Sequence, residues 1–255
     1  MHNKNEITKS LITPATLTGN DFKKICNLLY KKAGIALSDK KKDMVYNRLA
    51  RRLRALQLNN FNDYLKILEA DSNCSEWQEF VNALTTNLTS FFREAYHFPV
   101  LAKHALEHST NYKVWCAAAS SGEEPCSIAM TLEQVLGPGI AGPRIWATDI
   151  DTDMLTKASA GIYRLADLNN LSIEHKRRYF FRGKGINSHQ VKIKPEISGD
   201  IHYQYLNLIS PKWDLPGSFD AIFCRNVLIY FDQQTQQQIL NRFSRLLKPN
   251  GLLFV

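Results

Sequence analysis

The sequence is short of the features that mark a membrane span, a secreted scaffold or a metal-stapled fold. No apolar run approaches the roughly 18 residues that a spanning helix needs. The N-terminus, Met1-His2-Asn3-Lys4-Asn5-Glu6, mixes charges and leads into no apolar stretch, which argues against a signal peptide. Cysteine is sparse. Cys26, Cys74, Cys116, Cys126 and Cys224 are odd in number and form no Cys-x-x-Cys pair. Several lie in apolar runs such as Val114-Trp115-Cys116-Ala117, so they read as buried reduced thiols of a cytoplasmic protein with no structural metal. No Ser/His/Asp or Cys/His arrangement stands out, so nothing points to a hydrolase.

Acidic residues are also in deficit. Against 24 Asp and Glu stand 32 Lys and Arg, a net charge of +8 over 255 residues. That excess implies an acidic partner: nucleic acid, a membrane surface or an acidic protein. The charge is concentrated. Residues 40–54, KKKDMVYNRLARRLR, carry seven cations against Asp43, a net +6. On a helical wheel Val45, Leu49, Leu53 and Leu56 share one face, and Lys41, Arg48, Arg51 and Arg52 share an adjacent outward arc. Tyr46 is the one aromatic in the run, too little interleaving for base stacking, which disfavours nucleic acid. The opposite face holds only core aliphatics, which disfavours membrane insertion. An acidic protein helix fits best.

Two regions differ in pattern. Residues 1–86 read as an all-helical domain: one helix capped at Thr18 or Asn20, the basic helix over about 39–56, and two more around Phe61–Leu68 and Trp77–Leu84. Residues 87–255 alternate short buried strands with helices. The strands are Lys113–Ala117, Arg144–Asp149, Phe219–Cys224 and Leu252–Val255, with helices through Ile128–Val135, after Asp151 or Thr152, and over Gln233–Leu247. Such alternation means a parallel sheet covered on both faces, an α/β architecture. A stretch at about 171–199 breaks it. There Tyr179–Arg182 and Gln190–Lys194 read as an inserted antiparallel ribbon, either a decorative loop or a peptide-docking edge.

Ligands of open parallel sheets bind at the carboxyl ends of the strands. The first such end, Ala117 to Pro125, has a Ser-Ser-Gly bend at Ser120–Gly122 where the backbone can approach a ligand. That turn lacks the G-x-G-x-x-G fingerprint, and Glu123 and Glu124 would repel a diphosphate, which disfavours nicotinamide-dependent oxidoreduction. Asp149 ends the second strand, where a carboxylate can accept both hydroxyls of a ribose; its alternative role is helix capping. Arg225 and Asn226 follow the third strand as ligand-facing groups or structural caps. Together these features favour an adenosine ligand without a phosphate chain, such as S-adenosylmethionine.

These residues, with Asn87-Leu88-Thr89-Ser90-Phe91-Phe92-Arg93-Glu94 upstream, resemble the chemotaxis receptor methyltransferase family CheR over nearly the whole chain. The resemblance implies a helical N-terminal domain followed by a Rossmann-like S-adenosylmethionine-binding domain with a small β-subdomain. It implies methylation of glutamate side chains on methyl-accepting chemotaxis receptors, to give glutamate methyl esters. It implies that Asn87, Thr89 and Arg93 close over the cofactor and that Glu124 meets it. Asp149 would hold the ribose, Asn207 and Leu208 would flank the adenine, and Arg225 and Asn226 would complete the pocket. Arg93 and Tyr230 are offered as the groups that position the reacting atoms; otherwise Arg93 pairs with Glu94 or Glu124 and only fixes the linker. A receptor C-terminal peptide on the β-subdomain is left open, and a monomer is expected. The family pattern runs on past Val255 with Gly-His-Ser-Glu and further strands, so the second domain is expected to be cut short. A non-catalytic, cofactor-binding adaptor docked on receptors is the alternative. A nucleic-acid or small-molecule methyltransferase would need a different third strand end.

Overall fold

The structure is a computed structural model and describes residues 15–108, 111–137 and 144–255. The N-terminal segment read above as lacking a signal peptide, and Pro138-Gly139 after the first α/β helix, lie outside the described residues.

Four helices build the first domain. α1 (Gly19–Ala33) starts at a reciprocal cap between Thr18 and Asp21, and Gly34 ends it in left-handed backbone. A single 3₁₀ turn at Asp39–Lys41 leads into α2 (Lys42–Ala55), followed by α3 (Phe61–Ala70) and α4 (Glu76–Leu84). Their apolar stripes close on one core that includes Ile25, Leu29, Val45, Leu49, Phe61, Tyr64 and Phe80. Gly34 is required twice over. Its φ of +73° suits glycine, and a Cβ there would stand 2.7 Å from Ile209 Cγ2 of the second domain.

The second domain begins with α5 (His97–Glu107), a helix the sequence pattern does not announce. Pro99 reads as a breaker, yet it sits in the first turn, where its missing N–H leaves no bond unmade. The strands β1 (Val114–Cys116), β2 (Ile145–Asp149), β6 (Ile201–Tyr205), β7 (Phe219–Phe223) and β8 (Leu247–Phe254) form one sheet in the order β6-β2-β1-β7-β8. Every pairing in it is parallel. On β1, Val114 and Cys116 face the layer made by α5 and α6 (Glu123–Leu136). Trp115 faces the opposite layer with Phe243 of α10 (Gln233–Leu246). Burial on both faces explains why the central strands read as unbroken apolar runs. β6 escapes notice because it is an edge strand whose apolar residues are interrupted by polar ones, Ile-His-Tyr-Gln-Tyr. In β8 the Lys248-Pro249-Asn250-Gly251 turn becomes a wide irregularity inside the strand: Phe219 pairs Leu247 but Ala221 pairs Leu252.

Between β2 and β6 the chain forms α7 (Thr152–Ala160), then a second, antiparallel sheet. Its strands are β3 (Ile162–Arg164), β4 (Phe180–Arg182) and β5 (Gln190–Ile193), in the order β3-β5-β4. α8 (Ile173–Tyr179) and α9 (Pro195–Ser198) flank it. The expected ribbon is present as β4 and β5. A third strand, β3, lies upstream of the expected stretch and extends the insertion back to Ile162.

Candidate active site

The chain runs outward from β1 through β2 to β6, then returns to β7 and β8 on the other side of β1. The strand order therefore reverses between β1 and β7, where such sheets open a ligand crevice. A cavity of about 410 Å³ lies there, within the size range of small-molecule sites. Its floor comes from the ends of β1 (Ala117, Ala118, Ser120), β2 (Asp149) and β7 (Arg225, Asn226). Leu206–Leu208 close one side, the segment from Leu84 to Arg93 another, and the α1–α2 turn of the helical domain forms the roof. Asn87, Thr89, Arg93, Glu124, Asp149, Asn207, Leu208, Arg225, Asn226 and Tyr230 all line this one cavity.

Each polar group is held from behind. Asp149 is buried and accepts the N–H groups of Ser120 and Asp151 at 2.7 and 2.9 Å. Burial outweighs those donors and pushes its carboxyl up to about 6. Arg225 is only 1% exposed at the side chain. It donates to Glu124 at 2.7 Å and to the Arg93 carbonyl, and lies 3.1 Å from Glu94. Its Nε–H has no acceptor among the described residues. Burial raises the Glu124 carboxyl even against Arg225. Arg93 donates to the Leu88 carbonyl at 2.7 Å and keeps about a third of its side chain exposed.

Several amides serve the domain junction. Asn207 Nδ2 donates to the Lys32 carbonyl at 2.8 Å, and the Tyr230 carbonyl accepts Ala36 N–H at 2.9 Å. Asn87 Nδ2 donates to Asp151 at 2.7 Å. Asp151 does two jobs at once. One oxygen caps α7 through Asp153 and Met154 N–H; the other takes Thr85 Oγ1 at 2.6 Å and Asn87. Its sequence signature is that of a helix cap, and nothing local distinguishes a cap from a clamp. Gly122 also differs from expectation. It does not line the cavity, and a Cβ there would stand 2.8 Å from Tyr163 Oη and 2.9 Å from the Ala158 Cβ. Glycine serves packing against β3 and α7 rather than ligand approach.

The basic helix is more committed than its wheel suggests. Arg48 points to the Ala83 and Thr85 carbonyls at the C-terminus of α4. Arg52 makes a two-pronged pair with buried Glu76 (3.0 and 2.7 Å) and reaches Glu79 at 2.8 Å. Arg51 and Lys40 are exposed, and Lys41 lines the roof of the cavity. Among the described residues no cluster of three His, Cys, Asp or Glu side chains is arranged to hold a metal. His104 of α5 and His108, the residue that caps its C-terminus, do stack at 4.1 Å. The two nitrogens of His104 are taken by the Tyr112 hydroxyl and the Asn250 carbonyl, so the pair ties α5 to β8.

The cavity suits an adenosine ligand carrying positive charge. It offers a buried carboxylate at the β2 end, the Glu124 carboxylate beside Arg225, and no glycine in its lining to cradle phosphates. A parallel sheet with a ligand site at its switch point is shared by many open α/β folds, S-adenosylmethionine-dependent methyltransferases among them. Residues 87–255 match the profile described as CheR methyltransferase, SAM binding domain, and residues 20–85 match CheR methyltransferase, all-alpha domain. The chain belongs to the CheR methyltransferase family. It is 55% identical to a chemotaxis protein methyltransferase of Salmonella typhimurium over 93% of this chain and 83% of that one. It is 54% identical to one of Escherichia coli with the same coverage, and 43% identical to chemotaxis protein methyltransferase 2 of Pseudomonas aeruginosa over 95% and 90%. The expected fold and family are borne out.

Proposed function

We propose that the chain methylates glutamate side chains on the acidic cytoplasmic helices of chemotaxis receptors, and that it works in the cytoplasm. The observation that carries this reading is the convergence of Asp149, Arg93 and Tyr230 on one cavity. Asp149, Glu124, Arg225 and the Asn207-Leu208 wall would hold S-adenosylmethionine, which would supply an activated methyl group and leave as S-adenosylhomocysteine when its S–C bond breaks. The glutamate needs no base, because its unperturbed pKa is about 4.3 and it is ionised at neutral pH. Arg93 steers that carboxylate, Tyr230 borders its path, and the α1–α2 turn excludes water. Alignment alone is worth several kcal/mol or more, on the order of what positioned reactants gain. Among the described residues no helix is long and apolar enough to cross a membrane. Radiolabelled methyl transfer to receptor-containing membranes tests the reading, and base-labile label on receptor glutamates is the expected product. The outer strand β4, with exposed Phe181 and Arg182, suits addition of a receptor C-terminal peptide. Receptors lacking their extreme C-terminus should then be methylated more slowly.

The exposed part of α2 is the proposed docking face. Arg51→Glu is expected to raise the KM for receptors and its salt dependence, with cofactor affinity and Tm intact. Arg52→Glu should instead unfold the helical domain, because Glu76, which also accepts Tyr64 Oη at 2.8 Å, loses its partner. Breaking such a buried pair costs about 3–5 kcal/mol. Calorimetry and receptor titration on both variants separate the two effects, and equal loss of cofactor binding in Arg51→Glu would make that residue structural.

Asp149 sets a pH dependence. Its ionised form can accept two ribose hydroxyls, so cofactor affinity should fall as the pH drops through about 6. The limiting slope is about tenfold per pH unit for one proton. Isothermal titration with S-adenosylhomocysteine from pH 5 to pH 8 checks this, and Asp149→Asn should flatten the profile.

A further inference from the structure

The turn that carries Arg93 is strained. Phe92 and Glu94 both hold left-handed backbone (φ +51° and +52°), and so does Asn226 across the cavity (φ +57°). Such conformations cluster at functional sites when the surroundings enforce them. Phe92 is accounted for by packing: its ring meets Phe98 at 4.8 Å and its N–H donates to Ser127 Oγ at 2.9 Å. Asn226 is a residue type that tolerates this region. Glu94 is neither, so what its side chain holds must explain it.

Glu94 does not line the cavity. It stands behind the wall and touches three groups that do. Its carboxylate is 3.1 Å from Arg225, accepts Asn226 Nδ2 at 3.2 Å, and lies 4.0 Å from Arg93 Nε. His97 Nδ1 is 3.9 Å away and Tyr96 Oη 3.5 Å. Arg225 is already paired with Glu124 at 2.7 Å. The second carboxylate is thus more than one buried guanidinium requires, and it places negative charge beside the residue that meets the substrate.

We propose that Glu94 is a positioning residue that shares Arg93 with the incoming glutamate, so that the substrate carboxylate is aligned without being clamped. This rests on the glutamate-methylation reading above. The substrate carboxylate is fully charged in the ground state and loses charge as the ester bond forms. A tight pair with Arg93 would therefore stabilise the ground state more than the transition state and slow transfer. A resident carboxylate 4.0 Å from Arg93 weakens that pair while the strained turn keeps the guanidinium aimed.

Glu94→Gln keeps the size and the acceptor for Asn226 and removes the charge. Both kcat and the KM for receptor should fall by about tenfold, the pattern of a relieved ground-state penalty, with the cofactor Kd unchanged within about twofold. Glu94→Asp, a carboxylate on a shorter arm, should show the same split with smaller amplitude. A raised KM, an unchanged kcat, or a cofactor Kd that weakens in step with kcat would overturn the proposal and make Glu94 a brace. Thermal unfolding monitors folding; if Glu94→Gln melts early, the kcat and KM of Glu94→Asp decide the question by the same criteria. Wild-type protein is the control: if it transfers no methyl to receptor glutamates, the methylation reading fails and this proposal with it.

Discussion

Arg225→Leu should lower stability by about 3–5 kcal/mol, the cost of leaving a buried charge without its partner. For a chain of this size that is a fall in Tm of about 10 °C. Arg225 is the most enclosed charge of the cavity, and its planar fork serves Glu124, the Arg93 carbonyl and Glu94 together. Leucine would strand Glu124, whose carboxyl burial already raises. The deficit should be largest at neutral pH. It should close in acid, because without Arg225 the folded-state pKa of Glu124 rises further above its unfolded value, and the protonated acid carries no stranded charge. Arg225→Lys should rescue little, since a point ammonium cannot span three acceptors. Scanning calorimetry across pH checks this. An unchanged Tm at neutral pH would mean that the pair is dispensable, and that Arg225 is conformationally freer than its burial implies.

Arg93→Ala should reduce kcat for receptor methylation by about a hundredfold, the scale of a misplaced reacting group. The change in cofactor affinity should be much smaller. The geometry supports this separation. Arg93 anchors one nitrogen on the Leu88 carbonyl and lies at the long limit of pairing with Glu94, so most of its guanidinium is free to meet a ligand. Only one of its nitrogens is spent on the linker, which Asp151 also holds through Thr85 and Asn87. Single-turnover methyl transfer and calorimetric cofactor binding, run on the same preparation, test the assignment. Unchanged turnover would leave Arg93 a linker residue. Loss confined to cofactor affinity would move it from the reacting carboxylate to the cofactor.

Much of this protein was legible before its structure. β1, β2 and β7 declared themselves because a parallel strand buried on both faces must be continuously apolar. Asp149, Arg225 and Asn226 declared themselves because polar residues directly after such strands fall at the sheet's carboxyl edge. The helical domain followed from apolar spacing and from caps such as Thr18 with Asp21, which are interactions between near neighbours. Edge strands β3 and β6 were not legible, since a half-exposed strand is short of the one signal that marks the buried ones.

What the sequence determined by itself was therefore local: the order of elements, the run of six net charges over residues 40–54, and the residue types at each strand end. Only the tertiary structure decided how those charges and polar groups are used. A helical wheel turned Arg48 and Arg52 outward, and α4 claimed them. A capping aspartate, Asp151, became the clamp on the interdomain segment. Glu94 and Arg225, 131 residues apart (225 − 94), became one pair. Periodicity and capping are written within a few residues of chain. The partner of a charge is set by which segments the fold brings together, and that depends on packing across the whole molecule.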